Sequence, residues 1–549
     1  MSEEKKNWWE ALPEESHTII WKEMAHEKIY SLRKEQYQNI SDSLGEGYDR
    51  VDDSLAREPH PQANYARVDK SWKNFWEAEN FKRLTLSYRD IHPFAKYFSW
   101  DASRFGAPRG HLQSLLKHVT FKVHPRPYDY RSCGRREALT EWWVNCVDFG
   151  IHVDYVFRIL SILNTGVDTG TNQPDLTLEL KVYSTSDHQH NIVDHRFNDT
   201  SFWHNADAPE KPKIGHPHPL TQHPYQSRPK RQKHQQIERV FGRPLELPWA
   251  GYPECQLMPC RAVTKFLIRR QHYRAIDPQS LAKIYRALPG LTTIHHEMWR
   301  SRVRRGTDER WIMHKELAQL YTHSLPDSVE YLTLFEDKNS YLYSRRNQGP
   351  NWPSIAEPLL FISEGLKSLS VTSLIDAADF FACEHASHAV WPNLEYLTLT
   401  SRSLGPPTSH ERKELPVRNE RVNRLLQAAG SAAKRMPKLK TLQLWHGTRR
   451  HGLVFSYRPS ASSVCRLRGV WKPSLEPRTF GVWEEVSEIH LGADLGRAFD
   501  PDDDLPLDPP DTSVFEHVVE PDRVAHKISR AQWLWETKYS SRPDCENDI

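Results

Sequence analysis

The chain has 549 residues, too many for one ordinary hydrophobic core, so two or three domains or an extended repeat array is the starting expectation. Its 74 basic and 71 acidic residues leave a net charge of +3, which excludes a global field drawing the molecule onto nucleic acid or an anionic membrane. No apolar run approaches the roughly 20 residues that cross a bilayer, the first residues lack the apolar core of a secretory signal, and seven scattered cysteines suit a reducing compartment, so an intracellular protein is expected.

Leu12 and Pro13 open a short amphipathic helix with Ile19, Ile20 and Met24 at helical spacing, and Pro13 stands where a first turn tolerates it. Residues 30–62 turn polar and acidic, with Gly45, Gly47, Pro59 and Pro61, and read as an insertion. From Tyr65, the residues Val68, Trp72, Phe75 and Trp76 share one helical face, and Phe81-Lys82-Arg83-Leu84-Thr85-Leu86 follows as a strand. Together these residues resemble an F-box split by an insertion, over residues 1–100. In F-box proteins that helical module docks on the Skp adaptor of cullin-type ubiquitin ligases, and the resemblance implies adaptor contacts at Leu12, Pro13, Ile19, Ile20, Met24, Val68 and Trp72. The same residues also suit a helical cap over the open end of a repeat array.

Residues 101–198 hold the first helix-strand units. Leu112, Leu115, Leu116, Val119, Phe121 and Val123 mark a helix end running into a strand, and the apolar positions from Leu139 to Leu160 predict one largely buried helix or two short ones. Leu176 to Tyr183 alternates as a strand. Periodicity then fails, and residues 199–245 read as a linker or loop containing His204, His216, His218 and His223 among prolines, then the basic run Arg228 to His234. A metal site needs ligands held at fixed spacing, so none is predicted there. The basic run reads as a solvated loop, with a nuclear import signal or a small anion-binding patch as the alternative.

Residues 246–450 become regular. Val263 to Ile268 is a strand, and Asp277 with Pro278 starts a helix whose stripe is Leu281, Ile284, Tyr285 and Leu288. One phrase then recurs: Leu288-Pro289-Gly290-Leu291-Thr292-Thr293-Ile294, Leu325-Pro326 to Leu334, Trp391-Pro392 to Leu399, and Met436-Pro437 to Leu444, with Gly365-Leu366-Lys367-Ser368-Leu369-Ser370-Val371 as a variant. Each predicts a helix end, a stop, then a short strand apolar at every second position. Such units cannot bury their apolar faces alone and must stack, as in a leucine-rich solenoid, which leaves an open strand face. Residues 451–498 predict a hairpin at Val454–Tyr457 and Val464–Leu467 and a closing element from Pro477. Residues 499–549 form an acidic, proline-rich tail, with a terminal helix around Trp533 and Trp535.

The F-box-like start, the 324–337 phrase, Ile375-Asp376-Ala377-Ala378-Asp379-Phe380-Phe381 and the run Ala432 to Gly447 resemble a group of uncharacterised fungal F-box-like proteins with a C-terminal domain of unknown function. The expected fold is thus α/β: an irregular leucine-rich-repeat-like solenoid of parallel strands alternating with helices, preceded by an F-box-like helical module. The resemblance implies the substrate-recognition subunit of a Skp-cullin-F-box ubiquitin ligase, with a Skp-type adaptor and a protein target as partners. The alternative is a stand-alone interaction scaffold with a vestigial F-box. Target anchors on the strand face are expected among Trp299, Arg300, Trp445 and His446, at strand ends. No phosphate-cradling glycine loop, Gly-x-Ser-x-Gly elbow or His-Glu-x-x-His helix is present, so a non-catalytic chain without cofactor or metal is expected. A catalytic carboxylate pair at strand ends, such as Glu336 and Asp337, stays open because pairing in space cannot be read from one sequence.

Overall fold

In the computed structural model the chain divides into two units, Met1–Leu84 and Thr85–Ile549. The structure describes residues 78, 80–98, 110–164, 175–189, 230–248, 256–299, 307–337, 355–405, 415–447, 452–459, 465–469, 471–492 and 518–539. The expected adaptor contacts Leu12, Pro13, Ile19, Ile20, Met24, Val68 and Trp72, and the expected anchor Arg300, lie outside the described residues.

Among the described residues, eleven strands form one sheet whose spatial order equals the chain order. They are β1 (Arg83–Ser87), β2 (His118–Val123), β3 (Leu176–Val182), β4 (Val263–Ile268), β5 (Thr293–Trp299), β6 (Tyr331–Asp337), β7 (Ser368–Thr372), β8 (Tyr396–Thr400), β9 (Thr441–Gly447), β10 (Gly452–Tyr457) and β11 (Cys465–Gly469). From β2 to β9 every neighbour is parallel, and β9, β10 and β11 close the sheet as antiparallel ribbons. The result is a mixed α/β body in which a mostly parallel sheet alternates with helices, as the repeated phrases predicted.

Parallel neighbours need crossover connections, and helices supply them. Ahead of β4 these are α1 (Ile91–Phe98), α2 (Gly110–Leu115), α3 (Tyr130–Cys133), α4 (Leu139–Leu160), α5 (Thr185–Gln189) and α6 (Lys230–Phe241). After it come α7 (Pro278–Arg286), α8 (Thr307–His323), α9 (Ala356–Ser363), α10 (Ala377–Ala382) and α11 (Leu415–Ala433), while α12 (Pro477–Leu491) and α13 (Lys527–Tyr539) follow the last strand and connect none. When order in space equals order in the chain, crossovers of one hand put successive helices on the same side. Ring packing of Phe266 on Tyr285 and of Phe455 on Trp483 identifies that side. Leu332, Leu334, Leu369, Val371, Leu397, Leu399, Leu442 and Leu444 face it and are fully buried.

The Leu-Pro phrase works as a backbone device. Pro289, Pro326 and Pro437 each stand three or four residues past a helix end, and at the start of each strand from β6 to β9 two successive N–H groups fasten to one carbonyl of the unit before. Glu330 and Tyr331 donate to Thr292, Lys367 and Ser368 to Glu330, Glu395 and Tyr396 to Lys367, and Lys440 and Thr441 to Glu395. Side chains of this column alternate in sign, with Lys367 on Glu330 at 2.8 Å and Lys440 on Glu395 at 2.7 Å. In the first copy Gly290 replaces the Asp327, Asn393 or Lys438 of later copies because the Arg261 carbonyl would lie 2.6 Å from a Cβ.

Helix starts follow the sequence signals. Asp277 caps α7 by accepting from the Ser280 N–H, with Pro278 at the first turn. Asp376 caps α10 and also accepts from Ser401 Oγ at 2.6 Å, which ties the start of one helix to the end of the next strand. The apolar stretch from Leu139 is one helix of 22 residues. One stretch differs from expectation: the segment read as a loop carries α6, whose Ile237, Val240 and Phe241 are buried against Tyr273 and Trp299. Three apolar residues at helical spacing suffice there, and a polar, basic composition masks them.

Truncating the helix-facing stripe with Leu397→Ala is expected to cost about 2–5 kcal/mol in denaturant unfolding. Gly430→Val, whose Cβ would lie 2.5 Å from Val482 on α12, is expected to cost about 1–3 kcal/mol through overpacking. Unfolding midpoints equal to wild type for both would contradict this packing.

A candidate recognition face on the sheet

Because side chains alternate across a strand, the face opposite the helices is set by the other residue of each pair. Register places its residues in rows that cross the sheet. One row is Thr293, Tyr331, Ser368, Tyr396 and Thr441, the next His295, Thr333, Ser370, Thr398 and Gln443. The third holds Glu297, Phe335 and Thr372, then Thr400 beside Trp445. Hydroxyls, amides and charges dominate where the opposite face is Leu and Val.

This face is not left open, contrary to the sequence expectation. The C-terminal segment from Val518 to α13 crosses it, running back from β10 to β4. Val518, Val524, Ala525 and Trp533 pack with Phe335, Trp445 and Val454. The Gln443 amide, oriented to match, donates to the Val519 carbonyl at 3.2 Å and accepts from its N–H at 2.6 Å. Arg523 lies 3.5 Å from the centre of the Tyr396 ring, and Thr333 Oγ1 donates to the Arg523 carbonyl at 3.1 Å. Farther along, His526 stands edge-on to His295, and Gln271 Nε2 donates to Gln532 Oε1 at 2.7 Å.

Glu297 is the pivot of this contact. Its carboxylate accepts from the Arg270 N–H and His295 Nε2, each at 2.8 Å, from the His526 N–H at 2.5 Å, and from Ser529 Oγ. Burial alone would raise its pKa, but the hydrogen bond and charge of His295, the neighbouring His526 and the Ser529 hydroxyl bring it down to about 2. The positive end of α13 points at this anion as well.

Around Glu297 the buried charges are paired. Glu179 accepts from Arg269 Nε at 2.7 Å and from His118 Nε2 and Thr120 Oγ1, each at 2.9 Å. Burial pushes Glu179 up, and Arg269 and His118 outweigh it, holding the carboxyl well below its usual range. Arg270 pairs with Asp337, lies 4.4 Å from the centre of the Trp299 ring, and accepts the indole N–H on its carbonyl at 2.6 Å. Arg274 Nη1 donates to Glu137 Oε2 at 2.9 Å. All three arginines are 1 % exposed, so each pair replaces lost hydration with charge-assisted hydrogen bonds.

Of the expected anchors, Trp299 and Trp445 are buried, the first holding Arg270 and the second packed under the C-terminal segment, while His446 is half-buried beside Gly405. Glu336 and Asp337 project to opposite faces as successive strand residues, so they do not converge as a carboxylate pair. Among the described residues, no group of three or more His, Cys, Asp or Glu side chains is placed to hold a metal ion. Sequence reasoning missed the run Arg269-Arg270-Gln271-His272-Tyr273-Arg274, buried throughout between β4 and the Asp277 cap. A cationic run wedged between a strand and a helix start, matched by acids at other strand ends, is the signal that was available. The arrangement sets interlocked ion pairs under a broad polar surface, which suits binding.

Residues 324–503, from the end of α8 past α12, match a family of unknown function (DUF6546). The comparison with curated proteins found no match for the chain.

Glu179→Gln leaves Arg269 buried without its counter-ion, and an expected loss of about 3–5 kcal/mol follows. Replacing both residues by Met is expected to cost less than the single change, which denaturant titration of the two variants would reveal. Burial holds His272 near a pKa of about 4 and His296 near about 3, and lowers His526 well below 6.5. These rings are neutral in the fold, whereas the unfolded chain binds protons as pH falls through 6.5. Stability is therefore expected to be fullest above pH 6.5 and to decline below it toward pH 4, with Glu297 adding loss between its usual 4.5 and about 2. A urea midpoint as high at pH 5 as at pH 7.5 would contradict the neutral state of these rings.

Proposed function

We propose that this chain is a protein-recognition subunit: its repeat sheet, an irregular leucine-rich-repeat-like solenoid, holds a polypeptide target on its polar face. Its F-box-like N-terminal region recruits a Skp-type adaptor and thereby a cullin-type ubiquitin ligase. The observation that carries the first half is the segment Val518–Gln532, a polypeptide already lying across β10 to β4 through the side chains of the strands. A surface that holds one chain segment in this way has the width, hydroxyl rows and apolar patch to hold another.

The balance of charge favours a protein over nucleic acid as partner. Arg269, Arg270 and Arg274 are engaged by Glu179, Asp337 and Glu137, so they form no cationic stripe toward a phosphate backbone. The second half, ligase recruitment, is supported by the resemblance of Leu12, Pro13, Ile19, Ile20, Met24, Val68 and Trp72 to the adaptor-binding pattern. Ubiquitin transfer would belong to the assembled ligase, with this chain as its non-catalytic adaptor.

Affinity purification of the tagged full-length chain, followed by mass spectrometry, tests both halves. The Skp-type adaptor and a cullin are expected to co-purify with wild type and to fall at least roughly tenfold in the Leu12→Ala, Pro13→Ala double variant, as loss of a central anchor predicts. Stable partners without any ligase component would instead favour the stand-alone scaffold and remove the recruitment role.

A further inference from the structure

We propose that residues 518–539 are a built-in competitor for the polar face. Release of this segment opens the site, and the partner that takes its place is a protein segment entering as the start of a helix, with a hydroxyl residue in its first turn aimed at Glu297. This rests on the recognition role proposed for the face and goes beyond it by naming what blocks the face and what chemistry displaces it.

Glu297 serves α13 as a cap supplied by another element. The His526 carbonyl accepts the first helical hydrogen bond, from the Arg530 N–H, while the His526 N–H and Ser529 Oγ both donate to Glu297. That is the requirement of any helix start, an acceptor for exposed N–H groups plus a polar first-turn side chain, so the site recognises a motif rather than one sequence. Beside it, Phe335, Trp445 and Val454 offer an apolar shoulder now covered by Val518, Val524 and Ala525.

The chain's own segment fits this face imperfectly. Ser370 Oγ and Thr372 Oγ1, on the strand between those that touch Arg523, are buried with no hydrogen-bond partner among the described residues. Gln271 Oε1 is in the same condition. Glu520 takes a left-handed backbone with φ of 51°, a conformation that side chains disfavour. A partner offering polar atoms over β7 and an unstrained approach would gain what this segment forgoes. Its departure leaves the helix-facing core intact, because the Leu and Val stripe lies on the other side of the sheet.

The test uses the full chain with a protease recognition sequence inserted between residues 493 and 517. After cleavage, a fluorescent synthetic peptide spanning 515–541 is expected to exchange with the resident segment, and to bind the uncut chain at least roughly tenfold more weakly, as an intramolecular competitor requires. A peptide carrying Ser529→Ala is expected to bind the cut chain roughly tenfold or more weakly than wild type, the usual effect of losing a hydrogen bond to a charged group. Independently of cleavage, Val524→Asp in the uncut chain is expected to admit the wild-type peptide. Retention of the cut segment through dilution and gel filtration would overturn the proposal. So would loss of cooperative unfolding once it leaves, which would make it a permanent part of the core. Equal binding of the Ser529→Ala peptide would overturn the stated partner chemistry. None of these readouts involves an adaptor or a target, so their failure is separable from failure of the receptor reading.

Discussion

A parallel strand whose neighbours are the next units of the same chain, with crossover helices on one side, has to be apolar at one residue and free to be polar at the next. The pleat alternates side chains, the helices cover one set, and the other set meets whatever else is present. Here the covered set is Leu and Val on β6 to β9, and the other set is mostly Ser, Thr, Tyr and Gln, with Phe335 and Trp445 as an apolar patch. The paired N–H groups that each unit fastens to the carbonyl of the unit before hold this alternation in register. A slip of one residue would exchange the faces, placing hydroxyls in the core and leucines on the surface. The two-faced character of the sheet, and with it any binding role, depends on that register.

Charge is handled by the same alternation. Glu179 and Glu297 sit on strands and face away from the helices, where arginines from the turn after β4 and the start of α13 can reach them. Buried ion pairs are weak contributors to stability, because desolvation offsets most of their attraction, but they are demanding about geometry. A pair such as Arg270 with Asp337 spans β4 to β6, so it fixes the turn after one strand against the end of another two strands away. Those turns in turn seat Trp299 and α6. The charged cluster therefore works as a positional lock for the strand ends.

What could be read along the chain was whatever is local and periodic. The Leu-Pro phrases gave the right strands, Asp277-Pro278 gave the right helix start, and the pair of strands after residue 450 is the antiparallel hairpin β10 and β11. α6 escaped because its apolar residues are few and stand among Lys, Arg and Gln, so burial there comes from neighbours supplied by distant turns. Trp299 and Trp445 were recognisable as strand-end aromatics, yet one is roofed by Arg270 and α6 and the other by the C-terminal segment, and neither roof is near in sequence. Glu297, the residue on which the face turns, carries no local signal of that role, because its partners Arg270, His526 and Ser529 come from another turn and from the C-terminal segment.

The sequence alone determined the alternation of helix and strand, the stops between them and the apolar side of each strand, because these depend on propensities and spacings within about a dozen residues. The tertiary structure decided which acids meet which arginines, and that a helix starting at residue 527 returns to lie over strands more than two hundred residues earlier. Such pairings are set by geometry after the repeats have stacked. No local preference encodes them, since a carboxylate on a strand and a free helix end find each other only once the sheet has brought both to one face.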